Sequence, residues 1–157
     1  MQAFAAGITL SVHMNALLLK PQSETGSQII MHGRLYGHAK GHTYQKLKAE
    51  LLGMVMHSYR KLQQEADLIL VEGADSPAEI NLRSGDIANM GFATTASVPV
   101  LLVGDIARGG VIASIVGTHA ILAEEDSKLI GGYLINKFCG EPAVFEEGLT
   151  AIHAFTG

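Results

Sequence analysis

The sequence is poor in the features that mark secreted, membrane and nucleic-acid-binding proteins. Only one of its 157 residues is a cysteine, Cys139, so no internal disulfide can form. The 11 lysines and arginines are outnumbered by 15 acidic residues, and the net charge of -4 offers no basic surface for a polyanion. No apolar run approaches the roughly 20 residues of a membrane span, and the first residues lack a signal-peptide pattern. We therefore expect a cytoplasmic protein with neither a nucleic-acid nor a membrane partner.

Apolar residues, in contrast, are plentiful. They make up 48% of the chain against 17% for charged residues, which is typical of a packed globular protein rather than a disordered one. A chain of this length fits one domain, which buries roughly 70% of the surface that the unfolded chain exposes. We expect residues 1–157 to form a single domain.

Helical and strand patterns alternate along the chain. The clearest helix is residues 43–66, where apolar residues recur every three or four positions. Short apolar runs, typical of strands buried on both faces, occur at residues 68–71, 100–103 and 130–135. Less marked patterns predict a strand at residues 28–31 and helices at 86–95, 110–122 and 144–155. The alternation predicts an α/β fold, with a mostly parallel sheet covered by helices on both faces.

Ligands of such sheets bind at the carboxyl ends of the strands, so the polar residues there are candidates for chemistry. Glu72 follows the first apolar run and could hold Mg²⁺ against nucleotide phosphates, although capping of the next turn is the alternative. The loop at residues 73–82 contains Glu79 and Asn81 among small residues that allow close approach to an anion or a metal.

Two further pairs follow the second and third apolar runs. Asp105 and Arg108 precede a helix, where they could receive an anionic group or form a simple ion pair. Asn136 and Lys137 end the third run, and the Asn136 amide could recognise a nucleotide base or merely form a turn.

A cation among hydroxyls and a glycine occurs earlier, at residues 20–27. This combination suits phosphate or carboxylate oxygens, and a solvated turn is the alternative. The candidates in this segment are Lys20, Gln22, Ser23 and Thr25.

Several longer phrases resemble one known family. They are SVHMN at 11–15, LLKPQSETGSQ at 18–28, VEGADSPAEINLR at 71–83, DIANMG at 86–91, DIARGG at 105–110 and INKF at 135–138. In this order and spacing they are similar to the synthetase domain of the cobyric acid synthase family, a branch of the dethiobiotin synthetase-like P-loop group. The resemblance covers almost the whole chain.

The resemblance implies a P-loop NTPase-like fold, ATP and Mg²⁺ as cofactors, and cobyrinic a,c-diamide as the substrate. Its carboxylates would be phosphorylated by ATP and then attacked by ammonia, which a separate C-terminal glutaminase domain releases from glutamine. Glu72 matches the metal-associated acid, and Lys20 and Asp105 would share in catalysis. Asn136 and Lys137 would bind the nucleotide, while the substrate would contact Gln22, Ser23, Thr25, Glu79, Asn81 and Arg108.

Departures from the family pattern qualify this expectation. The GxxxxGK[ST] phosphate loop does not occur in these 157 residues, and we expect it to precede residue 1. The glutaminase domain would follow residue 157. Asp75 stands where the family usually has glycine, and Ala16 where it often has proline. We therefore expect a partial synthetase domain that is inactive alone, and we expect it to self-associate because its sheet is incomplete.

Two other interpretations of the sequence stay open. One is a non-catalytic corrinoid-binding or dimerisation module, which would bind without nucleotide. The other is a regulatory P-loop ATPase, which the SPAEINLR phrase and the missing phosphate loop disfavour.

Overall fold

The computed structural model covers residues 1–23 and 26–157, with side chains described except at residues 23 and 39–46. The chain forms two compact units, Met1–Glu72 and Gly73–Gly157, which we call the first and the second unit. The expectation of one domain over residues 1–157 stays a prediction.

The first unit is an antiparallel sheet with one long helix. Its strands run in the spatial order β1-β2-β3, and the 3₁₀ turn Val12–Asn15 precedes them. Ile29 of the central strand and Leu51 of the long helix are both fully buried. The elements are α1 (Gln2–Ala6), β1 (Leu17–Ser23), β2 (Gly26–Met31), β3 (Arg34–Lys40) and α2 (Gly41–Leu62).

The second unit contains a pair of parallel strands and four helices. Its strands β4 and β5 pair directly, and α4 packs against both β4 and α6. The elements are α3 (Met90–Ala96), β4 (Val100–Asp105), α4 (Val111–Ile121), α5 (Glu124–Ser127), β5 (Ile130–Asn136) and α6 (Glu146–Thr156).

The core of the second unit lies between β4 and two helices. Leu102, Val111, Ile115 and Ile152 are buried together there. Gly104 permits the close approach of strand and helix, because a Cβ at this position would lie 2.6 Å from a methyl group of Val111. This contact brings the start of α4 next to the carboxyl end of β4.

The sequence prediction of the fold is confirmed in part. The long helix and the apolar runs that became β4 and β5 form as expected, and β4 and β5 are parallel. The prediction of a mostly parallel sheet is wrong, because β1, β2 and β3 form a separate antiparallel sheet joined by short connections. The run at residues 68–71 does not form a strand, and Leu68 and Leu70 are exposed. A strand needs a neighbour to take its backbone N–H and C=O groups, and no strand within the described residues pairs with this run.

Within the second unit, the helices cover the parallel strands on one face. Alternate residues of a strand point to opposite faces, and on β4 Leu102 is buried whereas Leu101 and Val103 are exposed. The P-loop NTPase-like topology stays a prediction. In the part of the chain that the structure describes, no helix combines the length and apolar character needed to cross a membrane.

Candidate functional site

A cavity of about 340 Å³ lies at the carboxyl end of β4 in the second unit. Its wall combines a loop, the end of a strand, and the start of the helix that follows. The lining residues are Asp75, Ser76, Pro77, Leu102, Val103, Gly104, Asp105, Arg108, Gly109, Ser114, Ile115 and Thr118. The cavity thus includes Asp105 and Arg108, two of the residues selected from the sequence.

Asp105 is the most constrained charged group in this wall. It ends β4 and stands in register with Asn136, the last residue of β5. One carboxylate oxygen accepts a hydrogen bond from the backbone N–H of Ala107 at 3.0 Å, and the other accepts one from Lys137 Nζ at 2.7 Å. The bond from Lys137 is the main reason that the pKa of Asp105 lies below its usual value. Asp105 is therefore an ionised carboxylate with a fixed orientation.

Asn136 and Lys137 are placed together by the turn that ends β5. Lys137 adopts a φ of 56°, a conformation that side-chain-bearing residues seldom take, and its backbone N–H donates to Asn136 Oδ1 at 2.9 Å. This turn directs the Lys137 ammonium back to Asp105. Three residues predicted from two separate motifs, Asp105 from one and Asn136 and Lys137 from the other, thus meet at one edge of the sheet.

Arg108 adds a loosely held positive charge to the same wall. Its Nε lies 3.9 Å from Asp105 Oδ2, beyond hydrogen-bonding distance, and its side chain is 87% exposed. A guanidinium offers several N–H donors in a planar fork that matches carboxylate and phosphate oxygens. The wall therefore presents both a fixed carboxylate and an accessible guanidinium.

Asn89 holds the loop that contributes Asp75, Ser76 and Pro77 to the cavity wall. Its side-chain oxygen accepts from the backbone N–H of Ala74 at 2.9 Å, and its side-chain nitrogen donates to the Ala74 carbonyl at 2.5 Å. Gly73 lies so close that an added Cβ would collide with the Asn89 side chain. Asn89 in turn donates its backbone N–H to Asp86, which also accepts from Gly91. The DIANMG phrase thereby fixes the loop that carries Asp75.

Asp75 has a φ of 57°, in the left-handed region that glycine adopts most easily. Aspartate is one of the residues best tolerated there. In this chain the loop keeps the left-handed turn and adds a carboxylate to the cavity wall.

The sequence analysis did not predict the buried ion pair between Arg83 and Asp126. Asp126 is 1% exposed and accepts two hydrogen bonds from the Arg83 guanidinium, at 2.6 and 2.7 Å, and a third from Thr94 at 3.2 Å. The bonds from Arg83 are the main cause of the lowered pKa of Asp126 and of the raised pKa of Arg83. The partners are 43 residues apart, so no local pattern identifies them.

The remaining candidates do not join this group. Glu79 and Asn81 are exposed near the 3₁₀ turn Ile80–Leu82, and neither is among the described residues that line the cavity. Lys20 and Gln22 are exposed on β1 in the first unit, and Glu72 is an exposed residue at its end. The side chain of Ser23 and the whole of Thr25 lie outside the described residues.

Among the described residues, no cluster of three or more histidine, cysteine, aspartate or glutamate side chains could hold a metal ion. The metal role of Glu72 stays a prediction. Cys139 is an exposed free thiol.

Comparison with known proteins gives one consistent result. The chain is 66% identical over all of its 157 residues to the cobyric acid synthase of Allorhizobium ampelinum, 64% identical to that of Rhizobium etli, and 62% identical to that of Sinorhizobium fredii. In each case the matched region is 32% of the relative, so the chain spans about a third of the length of these proteins. No family model and no solved structure matches the chain. Over its whole length, the chain is therefore homologous to a segment of cobyric acid synthase, as its motifs predict.

Proposed function

We propose that the chain is part of a cobyric acid synthase acting in cobalamin biosynthesis. The parent protein would be a ligase that uses ATP and glutamine-derived ammonia to convert side-chain carboxylates of cobyrinic a,c-diamide into amides. The observation that carries this proposal is the group of Asp105, Arg108 and Lys137 at the carboxyl ends of β4 and β5, next to the cavity. Ligands of parallel sheets bind at that edge.

The reaction would proceed in two steps. A substrate carboxylate oxygen attacks the terminal phosphorus of ATP, which yields an acyl phosphate and ADP. Ammonia then attacks the acyl carbon, phosphate leaves with the bonding electron pair, and the ammonium intermediate loses a proton to give the amide. Activation is needed because a carboxylate oxygen by itself is a poor leaving group.

The residues of the cavity suit the anionic groups in these steps. The accessible Arg108 guanidinium would bind a carboxylate or phosphate oxygen and offset its negative charge. Asp105, held ionised by Lys137, would orient a donor on the substrate or the nucleotide. Asn136, at the same strand ends, would contact the nucleotide together with Lys137.

We propose that Mg²⁺ would be held by Asp75 and Asp105, whose carboxylate oxygens are of the kind that the ion prefers. When bound, the ion would neutralise charge on the phosphates of ATP. Glu72 is retained as a proposed metal ligand, on the basis of the sequence motif.

The other assignments rest on the motifs as well. Lys20 is proposed to share in catalysis, and the proposed substrate contacts in addition to Arg108 are Gln22, Ser23, Thr25, Glu79 and Asn81. The proposed partners are a glutaminase domain of the parent protein and a second copy of the chain. The exposed Leu101 and Val103 on β4 favour association of the chain with a second copy. Without the phosphate loop, the isolated chain would bind the corrinoid but would not amidate it.

A second candidate function is corrinoid binding without catalysis. Arg108 supports it, because an exposed and loosely paired guanidinium can hold a carboxylate arm without any chemical step.

Calorimetric titration tests both functions. The 157-residue chain would be titrated with cobyrinic a,c-diamide and, separately, with ATP and Mg²⁺. We expect corrinoid binding that weakens about tenfold or more in Arg108→Met, since a charged hydrogen bond is worth roughly 1.5–3 kcal/mol. The matched control is Arg60→Met, at an exposed position of α2. Absence of corrinoid binding by the unmodified chain, or equal loss in both variants, would overturn the assignment of this site.

Amidation separates the two candidates. In a complete cobyric acid synthase carrying the same cavity residues, the catalytic proposal predicts that Asp105→Asn lowers kcat more than it weakens corrinoid binding. A loss confined to corrinoid affinity would favour the binding function for this segment.

A further inference from the structure

A buried hydroxyl in the first unit is shared by two imidazole rings. Ser58 of α2 is 2% exposed, and its Oγ lies 3.0 Å from His13 Nδ1 and 2.7 Å from His32 Nε2. The ring centroids of His13 and His32 are 5.2 Å apart. None of these three residues belongs to the proposed corrinoid and nucleotide site.

The cluster joins three separate elements. His13 lies in the 3₁₀ turn Val12–Asn15, and His32 lies between β2 and β3. Ser58 lies about one turn before Leu62, the last residue of α2. His32 has a φ of 49° and precedes Gly33 with a φ of 75°, a combination typical of the two-residue turn of a twisted hairpin. The His32 backbone N–H also donates to the carbonyl of Ala16 at 2.8 Å. The hydroxyl therefore fastens two turns to α2.

The number of protons available to the hydroxyl and the two rings limits which protonation states keep both hydrogen bonds. A serine hydroxyl has one proton to donate, so when both rings are neutral one imidazole donates to Oγ and the other accepts from it. If both rings become imidazolium, both must donate, and the serine proton has to find another acceptor. The arrangement therefore accommodates at most one imidazolium ring.

Within the described part of the chain, the groups found to act on His32 are basic and do not compensate for added positive charge. The titratable groups that act on His32 are His13 from the 3₁₀ turn and His57 from α2, and both are basic. The His57 ring centroid is 6.2 Å from that of His13. No ion pair between these rings and a carboxylate occurs among the described residues.

We propose that His13, His32 and Ser58 form a proton-sensitive latch, which holds the 3₁₀ turn and the β2–β3 turn against α2 while at least one ring is neutral and releases them when mild acidification protonates both rings. Release would loosen the end of the hairpin, and through β2 it would affect the paired strand β1 that carries Lys20 and Gln22.

The direction of the pH effect follows from the protonation equilibrium. Burial, and next the charges of His13 and His57, hold the pKa of His32 below its usual value of 6.5. The folded state thus binds fewer protons than the unfolded state in this range. The stabilisation is complete above pH 6.5 and is lost as the pH falls through the lowered pKa.

Two measurements on the complete 157-residue chain test the latch. Titration of the imidazole resonances by NMR should give a pKa for His32 below 6.5. Amide hydrogen exchange, corrected for its intrinsic pH dependence, should show faster opening of residues 28–34 at pH 5.5 than at pH 7.5. The opening constant rises by at most about tenfold per pH unit for each proton taken up.

Variants identify the groups responsible. In the double variant His13→Gln, His32→Gln the amides can still bond to Ser58 but cannot titrate, so we expect the opening of residues 28–34 to become independent of pH between 5.5 and 7.5. His38→Gln, at an exposed position on β3, is the matched control and should keep the pH dependence. A His32 pKa at or above 6.5 in the unmodified chain, or pH dependence that persists in the double variant, would overturn the proposal. The NMR titration needs no variant and decides the matter even if the double variant fails to fold.

Discussion

The two units of this chain satisfy their buried polar groups in opposite ways. In the first unit, Ser58 is bonded by two rings, His13 and His32, with no carboxylate paired to them among the described residues. In the second unit, the buried carboxylate of Asp126 is bonded by the Arg83 guanidinium and Thr94. The first cluster requires at least one neutral ring, whereas the second depends on the opposite charges of its partners.

This difference determines the pH at which each unit weakens. Neutral imidazoles take up protons just below neutral pH, whereas a carboxylate paired with arginine resists protonation until the solution is strongly acidic. Both clusters join elements that are far apart in sequence, so each contributes to tertiary structure rather than to a local turn. The chemical nature of the cluster thus sets the pH at which the contact fails.

The largest effect should come from removing the charge of Asp126. Asp126→Ala leaves the Arg83 guanidinium partly buried and unpaired, which costs roughly 3–5 kcal/mol for fully buried pairs. Because Arg83 keeps 30% exposure, we expect a smaller loss, of about 2–3 kcal/mol. Urea unfolding of the 157-residue chain would measure this loss of stability.

The control for that variant is Glu124→Ala. Glu124 pairs with Lys128 on the same helical face, but both side chains are well exposed, at 83% and 69%. Such surface pairs contribute little. Equal losses in the two variants would show that burial of Asp126 does not distinguish the two ion pairs.

The next largest effect concerns the cavity loop. Asn89→Ala removes both hydrogen bonds to Ala74, and loss of such bonds costs about 1–2 kcal/mol where solvent replaces them only partly. We expect faster amide exchange at residues 74–76 and weaker ligand binding in the cavity. Asn89→Asp retains an acceptor for the Ala74 N–H, so it should fall between the native chain and Asn89→Ala. Unchanged exchange in Asn89→Ala would show that other contacts hold this loop.

A pH series contrasts the two clusters directly. The pKa of Asp126 is lowered, so its contribution is present above the usual value of 3.8 and is lost as the pH falls through the lowered pKa. We expect the amides around Thr94 to stay protected from pH 7.5 to 5.5, while those near His32 lose protection. Hydrogen exchange resolved by residue measures both in one sample. Loss of amide protection over the same pH range around Thr94 and near His32 would contradict the comparison.

The smallest effect should follow from Lys137→Met. This change removes the main cause of the lowered pKa of Asp105, so the pKa should rise towards its usual value of 3.8. We expect little change in stability because both side chains are in contact with solvent. Carboxyl chemical shifts followed by NMR report the pKa, and Lys128→Met is the control. An unchanged Asp105 pKa would show that Lys137 is not the main cause of its lowered value.

Much of the local structure was predictable, because it depends on patterns over a few residues. The amphipathic repeat predicted α2, and apolar runs with polar ends predicted β4 and β5 together with Asp105 and Asn136 at their ends. The motifs predicted the relationship to cobyric acid synthase, which the comparisons confirm.

The run at residues 68–71 marks the limit of such patterns. Its composition matches that of β4, yet Leu68 and Leu70 are exposed and no strand within the described residues pairs with it. An apolar run favours a strand, but a strand forms only where a neighbour accepts its hydrogen bonds.

The sequence by itself determined the helices α2, α3, α4 and α6, the parallel strand pair and the polar residues at the strand ends, because periodicity and turn chemistry act over short distances. Only the tertiary structure decided which polar groups meet. It brought Arg83 to Asp126 across 43 residues and His13 to Ser58 across 45. These contacts form because a buried polar atom must find a partner, and the packing of distant elements decides which partner is within reach.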